Sequence, residues 1–338
     1  MERYLCLKQQ NYHSYSLTLV PIRLVDRYDI MKWRNEQIFH LRQKVPLTKE
    51  KQDSYFDTTI LRQFKEKQPD QILFSVLSNN ELIGYGGLVH IDWESKNAEI
   101  SLLLKTELQE EYFCKYWIEF LSILKIVAFK DLHFVKIYTY AYDVRPLLPL
   151  IFEYAGFKLE GKLKNHHIFN DQIMDVLIHS FTSPYVNLKL RDISIKDMIQ
   201  LFDWANERET RKNSIQQDNI TFESHYSWFT KQISSSNSKI FILSNSNFDN
   251  IGQIRFTINE NGKWLINYSI DKNYRNLGLG KKIIELGMNQ FPKNFDFEAI
   301  VENQNIPSQK IFESLDFKLI DSFKKDNRTF LVFNSSIK

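Results

Sequence analysis

The chain has 338 residues, room for two domains of ordinary size, and its 43% hydrophobic and 14% aromatic content excludes a disordered protein. With 44 basic against 41 acidic residues and a net charge of +3, there is no electrostatic case for a nucleic-acid or membrane-surface partner. Cys6 and Cys114 stand apart, so neither a disulfide framework nor a metal site is indicated. The opening stretch MERYLCLKQQNYHSYS has no apolar core of signal-peptide length, and no run approaches the roughly eighteen apolar residues of a membrane helix, so a cytoplasmic protein is expected.

In chain order, PIRLVDRYDIMKWRNEQ from Pro21 places an arginine after an apolar strand, then a helix ending on Trp33, Asn35 and Glu36. A second helix is expected after Thr48. The runs ILFSVL, LIGYGGLVHI and NAEISLLL read as strands joined in hairpins. A long helix follows, then the strand KIYTYAY, a shorter helix and a last hairpin, with His166 and His167 expected in its turn as solvated residues. Thr182-Ser183-Pro184 reads as a short linker.

The order then begins again. LKLRDISIKDMIQLFDWANERE from Leu188 repeats the arginine and the Trp-x-Asn-Glu ending, at Trp204, Asn206 and Glu207. Thr221 leads a helix containing Ser227-Trp228-Phe229, as Thr48 leads one containing Ser54-Tyr55-Phe56. Ile251-Gly252 lies opposite Ile83-Gly84, Asn267-Tyr268-Ser269 opposite Glu99-Ile100-Ser101, and Ser314-Leu315-Asp316-Phe317 opposite Tyr154-Ala155-Gly156-Phe157. Five anchors in one order predict two copies of one fold, over 1–182 and 185–338. Each is expected to be an α/β unit of the α+β type, a mixed sheet with helices on both faces.

The most informative stretch is YRNLGLGKKIIELGM, from Tyr274 to Met288. It follows the strand KWLINYSI and opens a helix with apolar Leu279, Ile283 and Leu286 at helical spacing. A strand, a tight glycine turn and a helix N-terminus present unpaired N–H groups and the positive end of the helix dipole to phosphate oxygens. Gly278 and Gly280 allow close approach of the backbone, and Arg275 and Lys281 add charge. The spacing fits neither a Walker loop nor the three-glycine dinucleotide fingerprint. The first copy lacks these features: Leu104 to Glu111 reads LKTELQEE, with glutamates where phosphates would sit.

Arg275-x-x-Gly278-x-Gly280 opening a helix after a mid-chain strand resembles the pyrophosphate loop of the GNAT superfamily, the acetyl-CoA-dependent N-acetyltransferases. The order of elements extends that resemblance over nearly the whole chain, twice. It implies acetyl-CoA as cosubstrate, held in the second copy by Ser269, Ile270, Arg275, Asn276, Leu277, Gly278, Leu279, Gly280 and Lys281, with Asn305 and Ser308 on the coenzyme arm. The first copy, lacking the loop, is expected to be degenerate: either a substrate-shaping or regulatory pseudo-acetyltransferase, or a half retained for packing in a covalent pseudo-dimer. Where related enzymes often carry a tyrosine as the thiolate's proton donor, this chain has Phe312; Tyr268, Ser308 or water is left for that role. His225 and Glu302 are the candidate bases.

The second copy further resembles acetyltransferases of nucleotide-linked amino sugars, of the pseudaminic-acid pathway type. The matching positions are Asn206, Arg211, Ser214, His225 and Trp228, with Arg255 on the next strand. Arginine pairs with phosphate, Asn and Ser read hydroxyls, and Trp228 offers a flat apolar face. Trp204 is expected in the core, because the first copy keeps a tryptophan there. Two other readings stay open: a protein N-terminal or ribosomal-protein acetyltransferase, and a non-catalytic sensor of acyl-CoA or a sugar nucleotide.

Overall fold

The computed structural model describes residues 2–108, 112–245, 247, 249–292 and 295–335. It divides into two compact units, Met1–Ser183 and Pro184–Lys338.

The first unit is a sheet of β1 (Tyr12–His13), β2 (Thr18–Pro21), β3 (Ile72–Ser78), β4 (Glu81–Asp92), β5 (Asn97–Leu104), β6 (Lys136–Tyr142), β7 (Lys158–Phe169) and β8 (Gln172–Thr182), ordered β1-β2-β3-β4-β5-β6-β8-β7. Its helices are α1 (Arg27–Glu36), α2 (Lys49–Ser54) running through a π-helical turn into α3 (Leu61–Gln63), α4 (Phe113–Lys125) and α5 (Leu147–Tyr154). The second unit repeats the plan. Strands β9 (Lys189–Asp192), β10 (Ser238–Ser244), β11 (Asn250–Ile258), β12 (Trp264–Ile270), β13 (Phe297–Glu302), β14 (Phe317–Lys325) and β15 (Arg328–Ser335) are ordered β9-β10-β11-β12-β13-β15-β14. Helices α6 (Met198–Asn206), α7 (Arg208–Lys212), α8 (Phe222–Ile233), α9 (Leu279–Met288) and α10 (Ile306–Glu313) flank it. Both are mixed α/β sheets, as the strand runs predict. β3 is buried almost throughout, as a strand covered on both faces must be.

Each sheet contains one parallel pair, and that pair is short. Asn97–Glu99 pair with Lys136–Tyr138 in the first unit, and Trp264–Ile266 with Phe297–Ala299 in the second. Beyond those residues β5 and β6, and likewise β12 and β13, run on without pairing to each other. Each sheet is thus split from within, and backbone N–H and C=O groups along the split need partners from outside the ladder.

The glycines opposite one another in the repeat sit here for one reason. Gly84 faces Leu104, and Gly252 faces Ile270. A Cβ on either would lie 2.6 Å or 2.5 Å from a carbonyl oxygen of the facing strand. These pairings also correct the repeat: Leu104 corresponds to Ile270, so Leu102 and Leu103, rather than Ile100 and Ser101, match Tyr268 and Ser269. The sequence alignment slipped by two residues, which leaves every side chain on its expected face.

The recurring Trp-x-Asn-Glu proves structural at its first two positions. Trp33 and Trp204 are buried, and Trp204 Nε1 donates to Asp271 Oδ2 at 2.8 Å. Asn35 donates to the Leu47 carbonyl and accepts from the Leu47 N–H, at 3.0 and 2.7 Å. Asn206 grips Ile220 the same way, at 3.0 and 2.8 Å. Each asparagine thereby closes a loop just ahead of the helix cap Thr48 or Thr221. Asn206, expected at the substrate, has both ends of its amide occupied by one backbone residue. His166 and His167 also lie elsewhere than expected. They belong to β7, with His167 stacked on Tyr142 at 4.0 Å, and the turn falls at Asn170-Asp171.

Asn206→Ala should lower stability by about 1–3 kcal/mol, because a loop peptide loses both its partners. Thermal denaturation of Asn206→Ala and Asn35→Ala should show comparable losses. An unchanged melting temperature with a raised KM would instead return Asn206 to the substrate.

Candidate functional site

The glycine turn is built by left-handed backbone. After β12, Asp271 caps a single 3-10 turn over Lys272–Tyr274. Asn276 and Gly278 then adopt φ of 64° and 79°, and α9 begins at Leu279. Glycine takes this conformation without strain, and asparagine tolerates it better than most residues. Tyr185 donates its hydroxyl to the Leu277 carbonyl. Gly280 permits a second close approach: a Cβ there would meet Ile311 Cδ1 at 2.8 Å and the Tyr268 ring at 3.3 Å. The first turn of α9 leaves its N–H groups without intrahelical partners.

The two charges expected at this mouth are engaged by the protein. Arg275 donates to the Ile270 carbonyl at 3.1 Å and to Glu207 Oε2 at 2.6 Å. Burial pushes the Glu207 carboxyl upward, but the hydrogen bonds from Arg275 and from backbone N–H groups outweigh it and hold the carboxyl below the usual range. Arg275 is therefore a strut between the turn and α7. Lys281 Nζ reaches the Ser314 carbonyl at 3.0 Å.

The first unit follows the same path without the glycines. Lys105 N–H bonds to the Ile83 carbonyl as Asp271 N–H bonds to that of Ile251, and 3-10 turns follow at Thr106–Leu108 and Lys272–Tyr274. Helix α4 then starts at Phe113, after Tyr112 with φ of −109°, where α9 starts after Gly278. Tyr112 stands for Gly278 and Cys114 for Gly280. Of the three glutamates expected to repel phosphate, Glu107 lies in the 3-10 turn Thr106–Leu108, and Glu110 and Glu111 lie outside the described residues. Without Arg275, the equivalent of Glu207 changes partner: Glu36 accepts from Thr106 Oγ1 at 2.5 Å.

On the α9 side of the split lie Tyr268, Asn305, Ser308 and Phe312. Asn305 Oδ1 caps α10 by accepting from the Ser308 N–H at 3.3 Å. The Tyr268 hydroxyl and Ser308 Oγ are hydrogen-bonded at 3.0 Å. Phe312 is fully buried, with its ring edge-on to Tyr268 at 6.1 Å. A hydroxyl pair thus stands beside the phenylalanine. Burial pushes the Tyr268 phenol up, against a smaller opposing effect of Ser308, so it stays protonated at neutral pH.

The other face of the sheet carries a different set. Register aligns Arg255 with Asn267 and Gln253 with Ser269 across β11 and β12, and Gln253 donates to Asn267 Oδ1 at 3.2 Å. The Arg255 guanidinium lies 5.2 Å from the centre of the Trp228 ring. Burial pushes Arg255 downward, and among the described residues no carboxylate or hydrogen-bond acceptor meets it. Glu302 ends β13, buried, with Oε1 3.5 Å from Arg328 Nε. Arg328 also donates to the Ser214 and Lys212 carbonyls, tying the loop after α7 to Glu302.

Three expected site residues serve the fold instead. His225 is 2% exposed, bonded through Nε2 to the Met198 carbonyl at 3.0 Å and enclosed by Phe202, Trp228 and Phe229. Burial pushes its imidazole down, and the ring, expected as a base, packs in the core of its domain. Arg211 donates to Ser214 Oγ at 3.1 Å and the Gln216 carbonyl at 3.2 Å, and Ser214 donates to the Thr210 carbonyl. These two stiffen their own loop. The ion pair between Glu207 and Arg275 was missed in the sequence, although Glu207 belongs to the repeated motif.

Family models described as "Acetyltransferase (GNAT) domain" match residues 19–178 and, separately, residues 187–318. The chain is a tandem of two GNAT acetyltransferase domains. That family makes it an acyltransferase, and the members use acetyl-CoA. No curated protein matches the chain. Among solved structures, spermidine N-acetyltransferase from Vibrio cholerae in complex with CoA and spermine is 20% identical, over 50% of this chain and 97% of that one, with a TM-score of 0.45. A domain from Methanocaldococcus jannaschii DSM 2661 is 22% identical, over 44% of this chain and 98% of that one, with a TM-score of 0.39. Among the described residues no helix is long and apolar enough to cross a membrane, and no cluster of His, Cys, Asp and Glu could hold a metal ion.

His225 supplies a test by pH. Its folded pKa lies below the ordinary 6.5, so the native state binds fewer protons than the unfolded chain. Its contribution is complete above that value and is lost as the pH falls through the folded pKa. In the C-terminal GNAT domain, His225→Gln should flatten this acid-side decline in melting temperature and leave kcat within about threefold. A loss of two orders of magnitude in kcat, typical of removing a base, would restore the catalytic role.

Proposed function

We propose that the C-terminal GNAT domain transfers the acetyl group of acetyl-CoA to a primary amine on a small molecule that also carries an anionic group. A nucleotide-linked amino sugar meets that description. The observation that carries the proposal is the split between β12 and β13 lying directly before the glycine turn of α9. The turn's N–H groups suit the coenzyme's pyrophosphate, and the unpaired edge of β12 from Asn267 to Ile270 suits its amide-bearing arm. An N–H on that edge would stabilise the oxyanion formed as the amine adds to the thioester carbonyl.

The residues then take complementary roles. Glu302, on the acceptor face and close to Arg328, accepts the ammonium proton, directly or through water. The amine attacks the carbonyl carbon, the nitrogen gives up its second proton to water, the C–S bond breaks, and the departing thiolate takes a proton from Tyr268, which recovers one through Ser308. The hydroxyl pair stands in for the tyrosine that Phe312 replaces. Gly278, Leu279, Gly280, Asn276 and Leu277 supply the phosphate turn, with Arg275 holding its shape. Arg255 and Trp228 favour the anionic acceptor: a guanidinium without a carboxylate partner attracts an anion and repels a polycation.

Thiol release from acetyl-CoA should be followed with UDP-, TDP- and CMP-linked amino sugars, spermidine and basic peptides as acceptors. Release with a nucleotide amino sugar is expected, with Arg255→Met raising KM about tenfold or more and Tyr268→Phe lowering kcat about 10²-fold. Release with spermidine or peptides alone would overturn the acceptor assignment. Release unaffected by Tyr268→Phe would remove that residue from proton transfer.

A further inference from the structure

The N-terminal domain contains a cavity of about 650 Å³, reaching the split between β5 and β6. Ser101 and Leu102 of β5 and Thr139 and Tyr140 of β6 line it, and Trp117 and Phe152 form apolar walls. Its volume falls within the ordinary range of small-molecule sites. The coenzyme's usual entrance is altered, because Tyr112 and Cys114 stand where the C-terminal domain has Gly278 and Gly280.

The charges around this cavity do not balance internally. Arg42 is neutralised by a bidentate pair with Glu99, 2.8 Å to each oxygen, and Asp70 by Arg62 at 3.2 Å. Among the described residues Arg34 donates to the Tyr85 hydroxyl at 2.5 Å and to Gln43 Oε1 at 2.9 Å, and meets no carboxylate. Arg145 has less: its Nε is buried with no hydrogen-bond partner, and among the described residues its guanidinium meets only the rings of Phe113 and Trp117, at 5.7 and 5.9 Å. Both arginines line the cavity. His40, also in the lining, is pushed down to about 3 by burial and then by the charge of Arg145, with Arg34 adding to it, so it stays neutral and adds no further positive charge. Buried guanidinium groups ordinarily face a carboxylate or phosphate, because their five donors cannot be neutralised by losing a proton.

The spacing of the repeat shows how Arg145 came to this place. Phe152 and Phe157 pack together as Phe312 and Phe317 do, at 6.1 and 5.2 Å. Counting back from them sets Arg145 opposite Asn305, the residue that caps α10 beside the C-terminal split. One domain thus has a helix cap at this position, and the other has an arginine that meets no anion among the described residues.

We propose that the N-terminal domain binds a small oxyanion-bearing organic molecule, a carboxylate or phosphate ester on an apolar body, with Arg145 and Arg34 receiving the anion and Trp117 and Phe152 enclosing the body. The site is separate from acyl transfer in the C-terminal domain, and its test does not depend on turnover.

Binding of benzoate and phenyl phosphate to the full chain should be measured by calorimetry and by saturation-transfer NMR, with benzyl alcohol as the uncharged control. The background should be Gly278→Asp, which closes the C-terminal turn. Saturable binding of at least one anion and none of benzyl alcohol is expected, the stronger anion showing whether the site prefers carboxylate or phosphate. Arg145→Met should weaken that binding roughly 10- to 100-fold. The same variant should keep or raise the melting temperature without ligand, since it removes a half-buried charge that meets no carboxylate among the described residues. No saturable binding of either anion, equal binding of benzyl alcohol, or binding unchanged in Arg145→Met would overturn the proposal. So would acetyl-CoA binding that survives Gly278→Asp and excludes the anions, because the cavity would then be an acyl-CoA site.

Discussion

The split in each sheet is the constraint on which the rest depends. Antiparallel pairing on either side fixes β12 and β13 firmly, yet their own parallel pairing ends at Ile266 and Ala299. A sheet opened from within exposes backbone donors that no neighbouring strand can satisfy. Beside the split lie the left-handed turn at Asn276 and Gly278, the capped start of α10, and the hydroxyl pair of Tyr268 and Ser308. The same split recurs between β5 and β6, so the N-terminal domain inherits a ligand-sized opening whether or not it keeps the family's chemistry.

The halves have parted at a few positions while keeping their scaffold. Trp33 and Trp204, Asn35 and Asn206, and Gly84 and Gly252 do the same work twice, closing a core, clamping a loop and passing a strand. Gly278 and Gly280, by contrast, face Tyr112 and Cys114. Glu207 holds Arg275 in one domain, and its counterpart Glu36 takes a threonine hydroxyl in the other. Both of these differences lie at or beside the start of the helix that follows the split.

Much of the fold was legible because it rests on local signals. The runs ILFSVL, LIGYGGLVHI, NAEISLLL, KIYTYAY and KWLINYSI, read from alternation and β-branched content, are all strands, and the glycine turn opens a helix where its spacing says it should. What failed depends on long-range contacts. A two-residue slip along β5 is invisible to a pattern of period two, and only the pairing of Gly84 with Leu104 exposes it. His225 looked like a base because its type suits the chemistry, but the carbonyl of Met198, far away in sequence, claims its Nε2. Arg211, Ser214 and Asn206 were grouped by chemistry, whereas the chain spends them on closing their own loops. Arg145 was passed over because the absence of a partner is a property of three-dimensional surroundings alone.

Calorimetric titration of the full chain with acetyl-CoA tests the division of labour between the domains most directly. The C-terminal domain has the left-handed glycine turn and the N-terminal domain has Tyr112 in its place, so one site per chain is expected. Two equivalent sites would contradict the division, and so would one site that persists in Gly278→Asp.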